Sequence, residues 1–217
     1  MIKKFFIFTT ITAYVTINIS CNKVKENTSE NTIKDINQIS KGSYFVNSID
    51  SEVIWKGKQL STKEHFGTID ILNGNISINK EGIVKGSVDL DMTTIDTKDL
   101  EGQWKNKLDG HLKSTDFFDV STYPNATLNF KGIKNNGVEG NYKFDGDLTI
   151  KGITHPISFY SKIEDDNEIL LAKSKIIFDR SLYNVKFGSG KFFQNLGDKL
   201  IFDDIEVEVS LKTKQRN

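Results

Sequence analysis

The chain has 217 residues, of which 29 are basic and 29 are acidic. This length suits one β domain with an export signal, because barrels and sandwiches often exceed the usual domain size without dividing. The balanced charge leaves no basic surface of the kind that binds phosphate backbones, so we expect no nucleic-acid partner.

An export signal is predicted at the N-terminus. Lys3 and Lys4 precede an uncharged run from Phe5 to Ser20, which has the pattern of a secretory signal peptide. The run is short for a membrane span of about 20 apolar residues. We therefore expect residues 1–20 to be removed when the protein is exported. The remaining chain would carry a net charge of about −2.

Cys21 is the only cysteine and follows the apolar run directly. A lone thiol has no partner for an internal disulfide, and no second metal ligand is near it, so its position predicts lipidation and a membrane anchor. The site resembles the bacterial lipobox at Ser20, which is small, and departs from it at Asn18, where that motif has an aliphatic residue. An incidental cysteine beside a conventional cleavage site is the alternative.

A tether follows the cysteine. The stretch from Asn22 to Lys41 is rich in Asn, Lys, Glu, Thr and Ser, a composition that cannot bury enough apolar surface to offset the entropy of ordering. We expect residues 21–41 to be flexible. At about 3.3 Å per extended residue, they could hold a domain some tens of ångströms from a membrane.

From residue 42 to residue 213 the hydrophobic pattern has a period of two, which is typical of strands with one buried face. Two sets of apolar residues that alternate with more polar ones show it most clearly: Val84, Val88, Leu90 and Met92, and Ile205, Val207, Val209 and Leu211. Candidate strands lie near residues 43–47, 51–58, 64–72, 74–80, 82–92, 125–133, 137–151, 153–165, 168–179 and 200–213.

Four dipeptides in this region are hairpin signals, because their residues tolerate the positive φ that tight turns require. They are Asn73-Gly74, Glu81-Gly82, Asn136-Gly137 and Asp145-Gly146. Pro124 and Pro156 are expected where strands begin. At least eight antiparallel strands joined by short turns favour an all-β closed barrel over residues 42–213, with residues 214–217 as a tail.

One segment departs from the strand period. Leu100, Trp104, Leu108 and Leu112 recur every four residues within residues 97–112. This spacing places them on one face of a helix of about four turns. We expect a single helical insertion that covers one end of the barrel.

Three stretches closely resemble the signature of the YceI-like family. They are HLKSTDFFDVSTYPNATLNF from His111 to Phe130, GDLTIKGITHP from Gly146 to Pro156, and FDRSLYNVKFGSGKFFQNLGDKLIFDDIEVEVSL from Phe178 to Leu211. The resemblance covers roughly residues 42–212. It implies a small lipocalin-like barrel of about eight strands that holds a polyisoprenoid or another long lipid. The resemblance also implies export from the bacterial cytoplasm to the cell envelope, in the periplasm or at the outer membrane.

The three histidines, His65, His111 and His155, do not have the spacing of a zinc site, so no metal is expected. His65 and His111 lie in the family-like segments EHFG and HLKS and are candidates for ligand contact near the barrel mouth. His155 precedes a proline and is interpreted as a residue at the start of a strand.

Catalysis finds little support in the sequence. No G-x-S-x-G elbow is present, and the single cysteine is assigned to lipidation. Asp116 and Asp119 are interpreted as turn and capping residues, and Asp203 or Asp204 as exposed residues on a strand. We expect no catalytic residues and no cofactor.

Arg180 is unusual because this chain meets nearly every need for positive charge with lysine; its only other arginine is the near-terminal Arg216. The planar guanidinium therefore has a specific use. It is predicted to close the barrel as an ion pair or carbonyl clamp with Asp179 or Asp203. The alternative is a polar anchor for the head group of a ligand.

Aromatic residues could line an apolar tunnel, but alternation alone does not distinguish a filled barrel from a hollow one. The family resemblance favours a hollow barrel that binds an isoprenoid, an isoprenoid quinone or a fatty-acyl lipid without catalysis. The predicted ligand-contacting residues are Trp55, His65, Phe66, His111, Phe117, Phe118, Phe130, Phe159, Arg180 and Tyr183. An enzyme that acts on a lipid head group and a ligand-free interaction module are the alternatives. The oligomeric state stays open, with a homodimer as one option.

Overall fold

The computed structural model describes residues 39–61, 63–136, 140–166 and 169–215. The predicted signal peptide, Cys21 and most of the predicted tether lie outside these ranges. Within them no helix is long and apolar enough to cross a bilayer. The elements are β1 Gly42–Val46, β2 Glu52–Lys58, β3 Glu64–Ile78, β4 Val84–Thr97, α1 Gly102–Lys113, β5 Asn125–Lys134, β6 Tyr142–Ile150, β7 Ile153–Asp166, β8 Ile169–Asp179 and β9 Asp204–Gln215, with 3-10 turns at Arg180–Tyr183 and Gly197–Lys199.

Eight of the strands form a closed antiparallel ring. Each strand from β2 to β8 pairs with the next one along the chain, and β9 pairs back with β2. Strand β1 pairs with the last residues of β3 and β9, beyond the part of these strands that β2 occupies. Thus β1 and β2 both lie between β3 and β9, one beyond the other along these strands. The predicted lipocalin-like all-β barrel with one helix is confirmed.

The two ends of the barrel differ. At the end where β1 lies, Tyr44, Tyr142, Phe144 and Leu170 are buried in one cluster, and their side chains fill the interior. We call this the closed end. At the opposite end lie α1 and the 3-10 turn Arg180–Tyr183, and we call it the α1 end.

Two predicted hairpins are wrong. Asn73-Gly74 lies inside β3 and Asp145-Gly146 inside β6. Their glycines serve close packing instead: a Cβ on Gly74 would come within 2.6 Å of Val46, and one on Gly146 within 2.3 Å of the Asn129 carbonyl oxygen. A dipeptide that reads as a turn can therefore mark a position in a strand where a neighbour approaches closely.

Other turns are as predicted or were missed. Glu81-Gly82 connects β3 and β4, and Gly82 has a φ of 74°. Asn136-Gly137 falls between β5 and β6, and Gly137 lies outside the described residues. The turn between β6 and β7 is Lys151-Gly152, with φ values of 51° and 70°; the sequence analysis missed it because a lysine is an unusual residue at positive φ.

Several boundaries differ from the predictions. Strand β4 continues to Thr97 through irregular pairing with β3, so α1 begins later than predicted, at Gly102. Pro124 precedes β5 as expected. Pro156 lies within β7 at a position where β7 pairs with β6 but not with β8. The side without a partner strand needs no N–H donor, so a proline is tolerated there.

Gly132 gives a direct test of the packing inside the barrel. A Cβ at this position would lie 2.3 Å from the ring of its cross-strand neighbour Phe144, which is buried. We expect Gly132→Ala to lower the free energy of unfolding by about 1–3 kcal/mol because the core is overpacked. Gly110 on α1 has nothing within 4 Å of such a Cβ, so Gly110→Ala should raise it by up to about 1 kcal/mol. Chemical denaturation of both variants tests the contrast, and equal effects would contradict it.

Candidate functional site

An apolar cavity of about 230 Å³ occupies the barrel interior. Its wall is built from the inward-facing residues of strands β2 to β9, because alternate residues of each strand point to the same side of the sheet. Val88, Leu128, Leu148, Ile176 and Val207 are representative of this lining. The alternation read from β4 and β9 correctly identified inward-facing residues.

Aromatic rings form the wall toward the closed end. The rings of Phe130 and Phe144 meet edge to face with centroids 5.4 Å apart, and those of Phe144 and Phe159 stack at 5.2 Å. All three residues line the cavity. Such aromatic pairs pack as in a folded core, so aromatic rings bound the cavity on this side.

At the α1 end the cavity meets Leu108, Leu112, Phe117 and Phe118. Leu108 and Leu112 belong to α1. Phe117 and Phe118 belong to the rest of the first family-like stretch, residues 114–130, which we call the signature segment. The indole of Trp104, in contrast, is 61% exposed. The predicted apolar face of the helix is therefore confirmed for its second half and wrong at Trp104.

The signature segment forms a tight turn that directs its two phenylalanines over the barrel. The Phe118 N–H donates to the Leu112 carbonyl at 3.1 Å, and the Asp119 N–H donates to the Ser114 carbonyl at 2.8 Å. Asp119 adopts a φ of 48°, which an Asp tolerates better than most residues. Its interpretation as a turn residue is confirmed.

Ionic contacts fasten α1 to β4. The Lys105 ammonium contacts the carboxylates of Asp96 and Asp109, and Asp109 also accepts the backbone N–H of Thr97 at 2.8 Å. Hydrogen bonds from Lys105 and then Lys98 lower the pKa of Asp96 from 3.8 to about 2. Because the folded-state pKa is depressed, the stabilisation is present above pH 3.8 and is lost as the pH falls toward about 2.

Arg180 clamps the chain at the α1 end. Its side chain is fully buried, and its N–H groups donate to the carbonyls of Phe202 at 3.2 Å, Val185 at 2.9 Å and Ile201 at 3.2 Å. Burial lowers the pKa of Arg180, and the charge of Asp203, 3.3 Å from Nη2, opposes that shift. The predicted clamp is confirmed.

Asp203 is the partner of Arg180 and is only partly exposed. Besides this ion pair, its Oδ2 accepts the Ser189 hydroxyl at 2.9 Å. Asp179, the other proposed partner of Arg180, instead accepts from Ser181 and contacts Lys191. Asp204 is exposed, as expected.

Seven of the ten residues predicted to contact a ligand line the cavity: Trp55, His65, Phe117, Phe118, Phe130, Phe159 and Arg180. Within the described part of the chain the buried Trp55 Nε1 has no hydrogen-bond partner. A ligand contact by each of these seven residues stays a prediction.

Three predicted contacts are not supported by the geometry. Phe66 points away from the interior because it alternates with His65 on β3, and it is 41% exposed. His111 packs its ring against Phe117 and Phe187, outside the cavity. Tyr183 is buried against other rings in the wall and does not reach the interior.

His155 also has a structural role. Its Nε2 lies 3.1 Å from the Leu182 carbonyl oxygen, and its ring packs edge to face on Tyr183. Among the described residues no group of three or more His, Cys, Asp or Glu side chains could hold a metal ion.

The sequence analysis missed Asp99. The carboxylate of this residue lies beside His65, with 2.7 Å between Oδ2 and Nδ1, and its Oδ1 accepts the backbone N–H of Phe66 at 3.0 Å. Asp99 lies between β4 and α1, far from His65 in the chain, so residue spacing gave no signal. The pairing of β3 with the end of β4 brings the two residues together.

Comparison with protein families agrees with this architecture. Residues 44–213 match the YceI-like domain. Protein YceI of Escherichia coli O157:H7 is 30% identical over 100 residues, which cover 45% of this chain and 48% of that protein. A UPF0312 protein of Pseudomonas putida is 30% identical over 109 residues, 49% of this chain and 53% of the other. The matched part thus spans about half the length of these relatives.

Solved structures share the fold. BcnA of Burkholderia cenocepacia superposes with a TM-score of 0.61 at 19% identity and covers 77% of this chain and 98% of its own. A polyisoprenoid binding domain from Saccharophagus degradans, implicated in plant cell wall breakdown, superposes with a TM-score of 0.54 at 12% identity, covering 80% and 98%. At these identities the likeness establishes the barrel fold alone.

Proposed function

This chain belongs to the YceI-like family, and from that premise we propose that its barrel binds one long apolar ligand without catalysis. The ligand would be a polyisoprenoid, an isoprenoid quinone or a fatty-acyl lipid, held in the bacterial cell envelope. The observation that carries the proposal is the apolar cavity, which is closed at one end by aromatic rings. The polyisoprenoid-binding domain of similar fold supports the same class of ligand.

Burial of a hydrocarbon tail would supply most of the affinity. Each methylene removed from water contributes about 0.8 kcal/mol, and the described lining offers few polar groups that would have to lose water. A long unbranched or isoprenoid chain also suits an eight-stranded barrel, whose interior is just wide enough for one slender ligand.

The alternatives are less well supported. A ligand-free module would have a filled barrel, whereas this interior contains a cavity. An enzyme would need a titratable group beside a carboxylate in the pocket, and His65 with Asp99 meets that requirement. Arg180, however, is engaged by three carbonyls and Asp203. We therefore favour binding.

The fluorescence of Trp55 offers a test of binding. Trp104 is exposed and outside the cavity, so Trp104→Phe leaves Trp55 as the only tryptophan. We expect geranylgeraniol to change the Trp55 emission saturably in this variant, after removal of any bound lipid. Small apolar compounds that lack a long chain should leave the Trp55 emission unchanged. A titration with no change in emission and no change in melting temperature would contradict the proposal.

We also propose that the protein is a lipoprotein anchored through Cys21 after loss of residues 1–20. The anchor rests on the single cysteine at the end of the apolar run. We expect Cys21→Ser to move the exported protein from the membrane fraction to the soluble fraction, because the polar tether alone buries too little apolar surface. Mass spectrometry of the mature N-terminus provides the direct readout. A soluble wild-type protein without N-terminal lipid would overturn this assignment.

A further inference from the structure

His65 is the one histidine among the described residues that line the cavity. Its side chain is about one-third exposed at the α1 end. The ring is held by the contact between Nδ1 and Asp99 Oδ2 at 2.7 Å, and Nε2 has no partner within the described ranges. The imidazole therefore presents one free nitrogen at the mouth of an apolar cavity.

Asp99 determines which ring nitrogen carries the proton. Its Oδ1 accepts the Phe66 backbone N–H at 3.0 Å, and an ionised carboxylate can only accept hydrogen bonds. Nδ1 must therefore donate to Oδ2. In the neutral imidazole the other nitrogen, Nε2, is then an acceptor.

We propose that His65, oriented by Asp99, accepts a hydrogen bond from a hydroxyl on the ligand. The inference rests on the proposed function and adds to it the chemistry of the head group. A hydrogen-bond donor, such as an isoprenoid alcohol or a phenol, fits the free Nε2. An ether or a quinone carbonyl offers only acceptors, which a neutral Nε2 cannot satisfy.

The same geometry disfavours an anionic head group. The cationic side chain of Arg180 lines the cavity, but three carbonyls and Asp203 surround it. Asp99 adds a negative charge beside His65. A phosphate at this position would meet the Nε2 lone pair and the Asp99 carboxylate, so a neutral hydroxyl is the better occupant.

Asp99→Asn provides a decisive change. The backbone N–H of Phe66 can only donate, so the amide oxygen of the new side chain must face it and the amide NH₂ must face His65. Nδ1 then accepts, and the proton moves to Nε2. The substitution converts the free nitrogen from an acceptor into a donor, as a similar change does in serine proteases.

The experiment compares geranylgeraniol with its methyl ether, which lacks the donor, and with the parent hydrocarbon. Binding is measured in alkaline buffer, where a histidine imidazole is neutral. We expect the alcohol to bind the Trp104→Phe protein about fivefold to tenfold more tightly than the ether, the value of one hydrogen bond. Asp99→Asn should bring this ratio close to one by strengthening the ether. The exposed Asp70 supplies the control Asp70→Asn, which should keep the parent ratio.

Two further measurements keep the test decisive. Nitrogen NMR should show a proton on Nδ1 of His65 in the parent and on Nε2 in Asp99→Asn. If Asp99→Asn does not fold, His65→Phe should still bind the hydrocarbon while losing the preference for the alcohol. Equal binding of alcohol and ether by the parent overturns this inference but leaves the proposed function intact. Binding of none of the three probes overturns both.

Discussion

Arg180→Lys should lower the free energy of unfolding of the ligand-free barrel by about 1–3 kcal/mol. The guanidinium joins the carbonyls of Val185, Ile201 and Phe202 and the carboxylate of Asp203. A lysine ammonium is a point charge on a flexible stem and cannot reach all of these acceptors from one position. The bond to the Val185 carbonyl is the buried one, and a buried acceptor left without a donor costs about 1–3 kcal/mol.

Chemical denaturation of lipid-free protein measures this effect. Lys162→Met is the matched control, because Lys162 and its partner Glu164 are both mainly exposed and such pairs contribute at most about 1 kcal/mol. If ligand-free Arg180→Lys unfolds like the parent while its affinity for geranylgeraniol falls, Arg180 anchors a head group rather than the barrel.

Ala172→Phe should weaken ligand binding about a hundredfold while the barrel stays folded. Ala172 lies on β8 with its methyl group lining the cavity, opposite Ile163 on β7 and Leu211 on β9. A phenyl ring there would occupy the space of several methylenes of the tail. At about 0.8 kcal/mol per methylene, losing three or four of them corresponds to an affinity loss of about a hundredfold.

The neighbouring residue provides the control. Lys173 follows Ala172 on β8 and is exposed on the outer face, so Lys173→Phe adds the same ring outside the barrel. We expect this variant to bind geranylgeraniol as the parent does. Equal affinities for parent and Ala172→Phe, with both proteins folded, would show that the tail does not enter the barrel.

The barrel was predictable because its determinants are local and repeated. The alternation of Val84, Val88, Leu90 and Met92 requires one buried face, and β4 places all four toward the cavity. Several such strands with short connections have few solutions other than closure. The role of Arg180 was also predictable from composition. An arginine in a chain that otherwise uses lysine indicates contacts that need several fixed donors.

Other features depend on tertiary contacts that no local pattern records. Asn73-Gly74 was interpreted as a turn, whereas its glycine makes room for Val46 on β1. Phe66 was chosen for its aromatic character, but the register of β3 directs His65 inward and Phe66 outward. A shift of one residue reverses every side chain of a strand, so composition alone does not assign the inner face.

Asp99 illustrates the same limit at the candidate site. Its residue type and position give no indication of a role, because a lone aspartate before a helix is commonly a capping or surface residue. Only the pairing of β3 with β4 brings it within hydrogen-bond distance of His65. Polar groups that meet across strands are therefore the part of the site that sequence reasoning recovers least well.

Native mass spectrometry of the exported, mature protein, freshly purified without added lipid, tests the central claim most directly. We predict a species heavier than the protein by one apolar compound, recoverable by organic extraction and absent from Ala172→Phe. Detection of the mature protein without any bound compound, with no extractable isoprenoid or acyl ligand and no uptake of geranylgeraniol, would contradict the account.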